Sequence, residues 1–464
     1  MELRFKNIDI ELRTPEEVQR ITDLLNSSGA RCYIIGGFTR DLLLGKNPKD
    51  LDIEVHGLTL DDLKKILESS GFTINEVGKS FGILKVEDRE SGAVIDISVP
   101  RIDNTGRKPD ITFIENPTPA SAAARRDFTI NAIMYDTKDD AIADPYQGIS
   151  HLEEGIVQAV THRSFTEDPL RIVRAAQFAA RLGFSVEPGT VLSANRADTR
   201  TMAPERVTNE LLKVFRYSHH PSHFFNCLDR MGQLKLLFPE IHTLKEVPQD
   251  PLHHPEGNVY QHTMEVVDRA HHHDSVMMFV ALLHDTGKKE TTSFNPDRQT
   301  LQSPGHEESS AEIAKTFLQR YRIPQRDLIE IVTTVRHHMR PHHMVLDEAF
   351  KLKHKHRLMA SLSGGYFQIM KNPQKAIERY NRVVDFAILD KNDERQTEKY
   401  QILRSLPPIE HYTPKVLGRD LLAKGYKGKE LGRRLEQLYI TQINTTKEDI
   451  KKFSILRYQK KRSN

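Results

Sequence analysis

Cysteine is scarce in this sequence and tryptophan is absent: the 464 residues include two cysteines, Cys32 and Cys227, and no tryptophan. Two cysteines so far apart argue against a disulfide scaffold. The low number of cysteines fits a reducing compartment. Neither cysteine has a partner at the spacing of zinc ligands. The sequence also lacks an apolar run long enough to span a membrane, and residues 1–13 lack the apolar core of a signal peptide. We therefore expect a cytoplasmic protein without a membrane partner.

An excess of charge of one sign is missing as well, because the formal net charge is only +3 although 28% of the residues are charged. This balance gives no chain-wide signature of nucleic-acid binding, so any basic surface must be local. The segments Lys351–Arg357 and Lys460–Arg462 are basic in this local sense. Each is equally well explained as an ordinary solvated segment.

The periodicity of apolar residues predicts a multidomain α+β protein. The length alone predicts about three domains. Short apolar strands alternate with helices over residues 1–150, which predicts a head with a mostly antiparallel or mixed sheet. The strand signal then fades, and helical periodicity predicts a neck and body over 151–248, a histidine-rich unit over 249–345 and a helical tail over 346–464.

The segment from Tyr33 to Asp41 carries the first chemical signal. Tyr33–Ile35 predicts a buried strand, and a short helix with Arg40 and Asp41 is predicted after it. Gly36 and Gly37 between them have no Cβ, so the main chain can turn tightly and approach a ligand. Such a turn is suited to phosphate groups, although a glycine pair alone is more often structural.

Acidic residues on the following strands predict a metal site. Asp50 and Asp52 fall at i and i+2 of a predicted strand, so both carboxylates project from one side. Asp96, on a later strand, is a candidate third carboxylate, and an ordinary edge-strand aspartate is the alternative. Carboxylates beside a phosphate-binding turn suit Mg²⁺ and a nucleoside triphosphate.

A basic motif follows at Arg125, Arg126 and Asp127, with Asn131 four residues further on. Arginines bind phosphates in a bidentate manner, and an aspartate accepts hydrogen bonds from ribose hydroxyls. The motif therefore predicts contacts to the phosphate and sugar of a nucleotide. Ordinary surface charges are the alternative for the two arginines.

Asp168 and Arg171 lie three residues apart at the start of a predicted helix and are therefore neighbours on one face. An aspartate accepts from an exocyclic amine, and an arginine donates to a ring nitrogen. Cytosine and adenine present an amine beside a ring acceptor, whereas uracil and guanine present the opposite polarity. The pair predicts selection of C and A over U and G. A surface ion pair is the alternative.

The motifs GGFTRD, DLDIE, RRDFTINA, DPYQG, EDPLRIVRAAQFAARLGF and APERVTNEL, in this order, resemble those of class II tRNA nucleotidyltransferases and bacterial poly(A) polymerases. The resemblance implies a polymerase-β-type nucleotidyltransferase head, followed by a helical neck, body and tail that contact tRNA. It implies Mg²⁺, ATP and CTP as ligands, and it links the loop 103–108 to the switch from CTP to ATP. The implied catalytic residues are Asp50, Asp52 and Asp96, the first two also holding Mg²⁺. The implied nucleotide-binding residues are Gly36, Gly37, Arg40, Asp41, Arg125, Arg126, Asp127, Asn131, Asp168, Arg171 and Arg174.

Histidines in the third segment form a second pattern. Adjacent His284 and Asp285 end a predicted helix, where both can reach one metal ion, and distant histidines can complete the shell. The pattern resembles the HD phosphohydrolase domain fused to some bacterial tRNA nucleotidyltransferases. The resemblance implies phosphohydrolase activity, including on 2′,3′-cyclic phosphates, with a divalent transition metal such as Ni²⁺ or Mn²⁺. Its implied ligands are His262, His284, Asp285, His306, His337 and Asp390.

The sequence leaves several functions open beside the addition of CCA to tRNA. An enzyme that adds only A and a poly(A) polymerase are alternatives within the same class. A non-catalytic RNA-binding protein is an alternative of another class, against which Asp50 and Asp52 argue. A further alternative is a nucleotide hydrolase built on the HD unit alone, against which Asp168 and Arg171 argue.

Overall fold

The computed structural model describes residues 2–5, 8–11, 14–46, 48, 51–78, 82–103, 111–114, 116–250, 255–346, 352–391, 394–404 and 409–444. The chain divides into two compact units. The first comprises Met1–Met202 and His223–Gln233, and the second comprises Ala203–Ser222 and Leu234–Asn464. The four segments expected from the sequence stay predictions as to their boundaries. The α+β head followed by helical segments is confirmed.

The first unit contains all the strands of the large sheet and the helices that cover it. Its strands are β1 (Glu2–Phe5), β2 (Ile8–Glu11), β3 (Arg31–Ile35), β4 (Asp52–His56), β5 (Thr73–Asn75), β6 (Ile83–Glu87), β7 (Val94–Ser98), β8 (Arg101–Asp103), β9 (Ile111–Phe113), β10 (Met134–Asp136), β11 (Ala141–Ala143), β12 (Ile156–Val157) and β13 (Ser185–Val186). Its helices are α1 (Glu16–Ser27), α2 (Gly37–Leu43), α3 (Leu60–Ser69), α4 (Pro119–Ala123), α5 (Gly148–Glu154), α6 (Ser164–Glu167), α7 (Leu170–Leu182) and α8 (Pro188–Asn195).

The seven-stranded sheet has the order β11-β10-β3-β4-β7-β6-β5. It is mixed, as predicted, because β4 and β7 run parallel while the other neighbours run antiparallel. Residues such as Ile34, Ile53 and Ile97 are fully buried in its core, where each apolar side chain contributes about 2 kcal/mol. The apolar face of α1 buries Val18, Ile21 and Leu25 in the same core.

Helix α7 positions two of the predicted nucleotide-binding residues, Arg171 and Arg174. Pro169 has φ −58° and precedes the first helical residue, a position where proline is preorganised for helix. The helix ends at Gly183, whose φ of +73° favours glycine. One face is apolar and buried, which leaves Arg171 and Arg174 on the other face at helical spacing.

The remaining elements are helical except for one hairpin. The helices are α9 (Pro204–Tyr217), α10 (Ser222–Arg230), α11 (Leu234–Leu237), α12 (Pro239–His242), α13 (Val259–Arg269), α14 (Ser275–Leu283), α15 (Lys288–Thr291), α16 (His306–Arg320), α17 (Gln325–His337), α18 (Met339–Leu346), α19 (Leu352–Ser363), α20 (Tyr366–Lys371), α21 (Pro373–Lys391), α22 (Glu394–Arg404), α23 (Gly418–Ala423) and α24 (Gly428–Asn444). The hairpin consists of β14 (Ser293–Asn295) and β15 (Thr300–Gln302).

The hairpin differs from the fully helical segment that the sequence predicts here. Its strands are three residues long and mostly polar, so they carry no period-2 apolar signal. None of the helices within the described ranges is long and apolar enough to cross a lipid bilayer.

Candidate active sites

The glycine turn after β3 brings three elements of the first unit together. Gly36 has φ +78°, a conformation that favours glycine. A Cβ at this position would lie 3.5 Å from Nη1 of Arg126 and 3.7 Å from Oδ2 of Asp52. A Cβ at Gly37 would lie 3.5 Å from Nη2 of Arg40. The main-chain turn is therefore next to a carboxylate and two guanidinium groups.

Two of the three predicted catalytic carboxylates lie on neighbouring strands. Asp52 and Asp96 are directly paired across the parallel strands β4 and β7, so their side chains share one face of the sheet. On the other side of β7, Nζ of Lys85 on strand β6 is 2.8 Å from Oδ1 of Asp96. Asp50 lies outside the described residues. Paired carboxylate oxygens beside a glycine turn form a donor set that fits Mg²⁺.

Glu54 is a charged residue of this site that the sequence prediction missed. Its side chain is fully buried, and its Oε2 accepts a 2.7 Å hydrogen bond from Nη2 of Arg125. Oε1 lies 3.2 Å from Nε2 of His56. Burial raises the pKa of Glu54, but the His56 hydrogen bond and the two arginines outweigh it and lower the pKa to about 2. The alternation of the strand was the missed signal, because Glu54 lies two residues after Asp52.

Arg126 and Arg125 present unused donors. Nε of Arg125 and both Nε and Nη2 of Arg126 are buried and make no hydrogen bond to any part of the chain that the structure describes. Nη2 of Arg126 is 3.9 Å from the Glu54 carboxylate, beyond hydrogen-bonding range. A buried donor without a partner costs about 1–3 kcal/mol. A bound phosphate would remove that penalty, which fits the predicted role of both arginines.

Asp127 is the centre of a hydrogen-bond network. Its Oδ1 accepts from Nδ2 of Asn131 at 2.9 Å, and its Oδ2 accepts from Nε of Arg174 at 2.8 Å. Oδ1 of Asn131 in turn accepts from Nη1 of Arg40 at 2.6 Å. Burial raises the pKa of Asp127, but Arg174 and Asn131 outweigh it, so the net pKa is lowered. The structure thus brings four predicted nucleotide-binding residues together.

Arg40 and Asp41 form a second part of that network. Nε of Arg40 donates to Oδ1 of Asp41 at 2.7 Å, and Nη2 of Arg181 is 3.2 Å from Oδ2 of the same carboxylate. The guanidinium of Arg40 also lies 5.0 Å from the centroid of the Phe178 ring, in cation–π range. These contacts hold α2 against α7.

Asp168 lies two residues before α7 begins, and Arg171 lies in the first turn of that helix. Oδ1 of Asp168 accepts from the main-chain N–H of Leu170 at 3.1 Å. Nη2 of Arg171 donates to the carbonyl of Arg125 at 2.6 Å, and its Nη1 donates to Oγ of Ser164 at 2.9 Å. Arg171 therefore connects α7 to Arg125, which belongs to the predicted phosphate-binding motif.

The second unit contains a buried cluster of histidines and carboxylates. His262, His284 and Asp390 form one group whose ligand atoms lie within 4.8 Å of one another. Asp285, His306 and His338 form another group by the same measure. Nε2 of His284 lies 3.3 Å from Asp285 and 3.5 Å from Asp390, so the two groups adjoin.

The outer nitrogens of four histidines fix the orientation of the cluster. Nδ1 of His284, His306 and His338 donates to the main-chain carbonyl three residues earlier, at 3.0, 2.8 and 2.7 Å. Nδ1 of His262 donates to Oε1 of Glu256 at 2.7 Å. In the neutral form of the three rings that donate to carbonyls, the other nitrogen, Nε2, is an acceptor that faces the cluster. Nε2 of His262 lies 2.9 Å from Oδ1 of Asp390.

The inner nitrogens fit a bound cation. Nε2 of His306 and Nε2 of His338 face each other at 3.2 Å. Because both are acceptors in the neutral rings, their lone pairs repel unless a proton or a metal ion lies between them. Nε2 of His284 is buried and makes no hydrogen bond within the described ranges. Imidazole nitrogens with carboxylate oxygens form a donor set that suits divalent transition metals.

The pKa shifts of the cluster residues also bear on metal binding. Burial lowers the pKa of His284, but Asp285 and Asp390 outweigh it and raise the pKa to about 9. Burial raises the pKa of Asp285 and Asp390, but neighbouring cations and histidines hold both well below their usual values. Burial and two neighbouring histidines lower the pKa of His338, which keeps this ring neutral. The ionised carboxylates and the neutral His338 ring are in the protonation states that metal binding requires, whereas His284 would release its proton when a metal ion binds.

The structure corrects one predicted ligand, His337. Its Nδ1 donates to the carbonyl of Thr333 at 2.9 Å, and its Nε2 lies 2.7 Å from Oγ of Ser361, so it is not in the cluster. The neighbouring His338 lies there instead. Successive helical residues project about 100° apart, so only one of two adjacent histidines can face a given point.

Further residues of the cluster were missed. Nζ of Lys288 lies 2.7 Å from Oδ2 of Asp285. Nε2 of His342 lies 3.1 Å from Oδ2 of Asp390, and its Nδ1 is 2.6 Å from the hydroxyl of Tyr400. The only signal for His342 in the sequence was its position four residues after His338, a spacing that places two residues on one face of a helix. Asp390 lies in the cluster although the sequence prediction assigns residue 390 to the tail segment.

Family comparisons match three parts of the chain. The Poly A polymerase head domain matches residues 32–158. The family described as the probable RNA and SrmB-binding site of polymerase A matches 183–245. The HD domain matches 258–387.

Curated relatives extend this likeness along the chain. A Multifunctional CCA protein of Nitrosococcus oceani is 32% identical over 432 residues, which cover 89% of this chain and 97% of the relative. This chain belongs to the multifunctional CCA protein family. Another Multifunctional CCA protein, from Chromobacterium violaceum, is 36% identical over 326 residues, covering 67% of this chain and 74% of the relative. The predicted nucleotidyltransferase and HD resemblance is thereby confirmed.

Solved structures show the same fold for this multifunctional CCA protein family member. The Bacillus stearothermophilus CCA-adding enzyme in complex with CTP has a TM-score of 0.65 and 20% identity, covering 97% of this chain and 100% of that chain. The Thermotoga maritima CCA-adding enzyme complexed with tRNA has a TM-score of 0.59 and 18% identity, covering 97% and 96%. The nucleotidyltransferase and HD domains both imply dependence on divalent metal ions.

Proposed function

We propose that this chain adds or repairs the 3′-terminal CCA of tRNA, using CTP and ATP and no nucleic-acid template. The observation that carries the proposal is the juxtaposition of Asp52, Asp96, Gly36 and the unused donors of Arg126. Membership of the multifunctional CCA protein family supports the same reaction and a cytoplasmic location.

The residues of the first unit take separate roles in this proposal. Asp50, Asp52 and Asp96 would hold Mg²⁺, which when bound neutralises the triphosphate and lowers the pKa of the attacking hydroxyl. Arg125 and Arg126 bind phosphate oxygens. The tRNA 3′-hydroxyl attacks the α-phosphorus in line, and pyrophosphate leaves.

Base selection follows from the donors and acceptors at the start of α7. The protein contacts of Arg171 use its Nη1 and Nη2 groups, to Ser164, Glu167 and Arg125. Its Nε–H is therefore directed to no acceptor in the described chain and can donate to a ring nitrogen of cytosine or adenine. Asp168 accepts from the exocyclic amine of the same base.

The experiment uses tRNA transcripts that end before C74, after C75 and after A76. Each is incubated with CTP, ATP or both, and product length is read on a gel. Addition of C and then A supports the proposal, whereas extension by A alone or by many A residues favours an A-adding enzyme or a poly(A) polymerase. Asp52→Asn should abolish addition and Asp23→Asn, an exposed change in the same unit, should not. Near-normal addition by Asp52→Asn would reject the assignment.

We also propose a second activity, a metal-dependent phosphohydrolase, including on 2′,3′-cyclic phosphates, in the second unit. The facing acceptors of His306 and His338 are the observation that favours it. His262, His284, Asp285, His306, His338 and Asp390 would hold one or more divalent ions such as Ni²⁺ or Mn²⁺, which when bound activate water for attack on phosphorus. His284→Ala should lose hydrolysis of a model phosphodiester and keep nucleotide addition. The absence of metal-dependent hydrolysis by the parent protein would defeat this second activity.

A further inference from the structure

Basic side chains of α18 and α19 line a cavity that neither proposed activity uses. The cavity has a volume of about 430 Å³ and lies between α18 and α19. Its polar lining comes from Arg340, His343, His354 and Arg357, with Ser361 beside them. A volume of this size falls within the range of small-molecule sites, about 300–1,000 Å³.

The lining is basic. It contains no acidic residue within the described ranges. The side chains of Arg340, His343 and Arg357 are exposed and have no hydrogen bond or ion pair to any described residue. Arg336 and Arg379 of the same unit are by contrast paired with glutamates. Guanidinium groups with no counter-charge among the described residues favour an anion with several acceptor oxygens.

The remaining lining favours an organic anion. Met344 and Leu358 are buried side chains that form an apolar wall of the cavity. Inorganic phosphate has no apolar surface to bury, whereas a base or ribose packs against an apolar wall and adds binding free energy through the buried apolar area. A site with few polar groups on one side and an apolar wall on the other is typical of small-ligand pockets.

The cavity shares α18 with the metal-binding cluster. His342 faces Asp390, while Arg340 and His343 on the same helix line the cavity. His338 belongs to the cluster and lies two residues before Arg340, so their Cα atoms are at most about 7.6 Å apart. Ser361, which lines the cavity from α19, also contacts His337 at the end of α17.

We infer that this cavity is a binding site for a nucleoside phosphate. Arg340 and Arg357 contact the phosphate oxygens, and Met344 and Leu358 pack against the base or ribose. The ligand is either a free mononucleotide or the phosphorylated terminal nucleotide of an RNA. The site is separate from the nucleotidyltransferase centre, and its existence does not depend on either proposed activity.

Site-specific chemical modification tests the inference on the full chain. Phenylglyoxal modifies accessible arginines, and mass spectrometry reports the extent at each one. The reaction is run in EDTA with AMP, with a short RNA carrying a 3′-phosphate, and with their controls, adenosine and the dephosphorylated RNA. We expect AMP or the phosphorylated RNA to slow modification of Arg340 and Arg357 by about tenfold. Modification of Arg326, exposed on α17, should not change.

The pattern of protection identifies the source of the phosphate. Protection by AMP alone supports a free nucleotide, and protection by the phosphorylated RNA supports an RNA end. Equal modification in all reactions, or protection that does not depend on the terminal phosphate, overturns the inference. As a second measurement, the double variant Arg340→Gln with Arg357→Gln should bind the protecting ligand about tenfold more weakly than Arg326→Gln does. Equal affinity of the two variants would also overturn it.

Discussion

Nη2 of Arg171 donates a 2.6 Å hydrogen bond to the main-chain carbonyl of Arg125. The residue proposed to read the base is thereby fixed to the segment proposed to hold the phosphates. Three residues further along the same helix face, Arg174 makes a second bond, from its Nε to Oδ2 of Asp127. The distance between base-reading and phosphate-binding groups is therefore set by protein contacts before any nucleotide binds.

Base selection should change when the acceptor of the proposed pair is altered. In Asp168→Asn the amide presents donors where cytosine has an amine and uracil has a carbonyl. We expect the preference for CTP over UTP to fall by about 100-fold. The measurement is the ratio of kcat/KM for the two nucleotides on a tRNA that lacks its CCA end. Arg196→Gln, an exposed change in the same unit, serves as control. An unchanged ratio in Asp168→Asn would contradict the proposed role.

Glu54 should contribute strongly to stability because it is the buried counter-charge of Arg125 and Arg126. Removing one partner of a buried ion pair leaves uncompensated charge and costs about 3 kcal/mol or more. We expect this loss in the free energy of unfolding of Glu54→Gln, measured in urea. Glu68→Gln, which removes an exposed helix carboxylate, should stay within about 0.5 kcal/mol. Equal stability of the two variants would show that Glu54 is not the counter-charge.

The contribution of Glu54 should also depend on pH. Its pKa is lowered from 4.5 to about 2 in the folded chain. A carboxylate with a depressed folded pKa stabilises fully above its unfolded pKa, and its contribution declines as pH falls toward the folded value. The stability difference between the parent and Glu54→Gln should therefore be constant above pH 4.5 and shrink below it. Urea unfolding of both proteins at several pH values measures this difference, and a gap that widens on acidification would refute the assignment.

His337 and His338 should behave differently in a metal assay. His338→Ala removes a ring nitrogen that faces the cluster, so we expect metal content per chain to fall markedly after dialysis against the metal. His337→Ala removes a ring bonded to Ser361 and should leave the content unchanged. Elemental analysis by mass spectrometry provides the measurement. The reverse ranking would restore His337 as the ligand.

Tyr400 should support the cluster through His342. Residues that hold a metal ligand in place typically change metal affinity by about 10–100-fold when mutated. We expect Tyr400→Phe to weaken metal binding by about tenfold, measured by competition with a chelator. Tyr439→Phe is the matched control because Tyr439 is also buried but has no hydroxyl hydrogen bond within the described residues. Equal metal affinity of the two variants would remove Tyr400 from the site.

Local patterns predicted most of the head and part of each site. The strand, glycine turn and helix around Gly36 follow from short-range sequence, and so does Asp52 at the start of β4. Pairing of Asp52 with Asp96 depends on the parallel register of two distant strands, which period-2 alternation does not specify. The choice of His338 over His337 depends on the rotation of α17 relative to its neighbours, which adjacent histidines leave ambiguous.

The carbonyl contacts of His284, His306 and His338 tie each ring to the turn of main chain immediately before it. Unwinding of any one of these helix ends would release the ring and misalign its inner nitrogen. The rate at which a chelator extracts the bound ion would then report local unfolding at the ends of α14, α16 and α17. Such local opening costs less free energy than unfolding of the whole unit. The metal would thus act as a built-in probe of local helix opening.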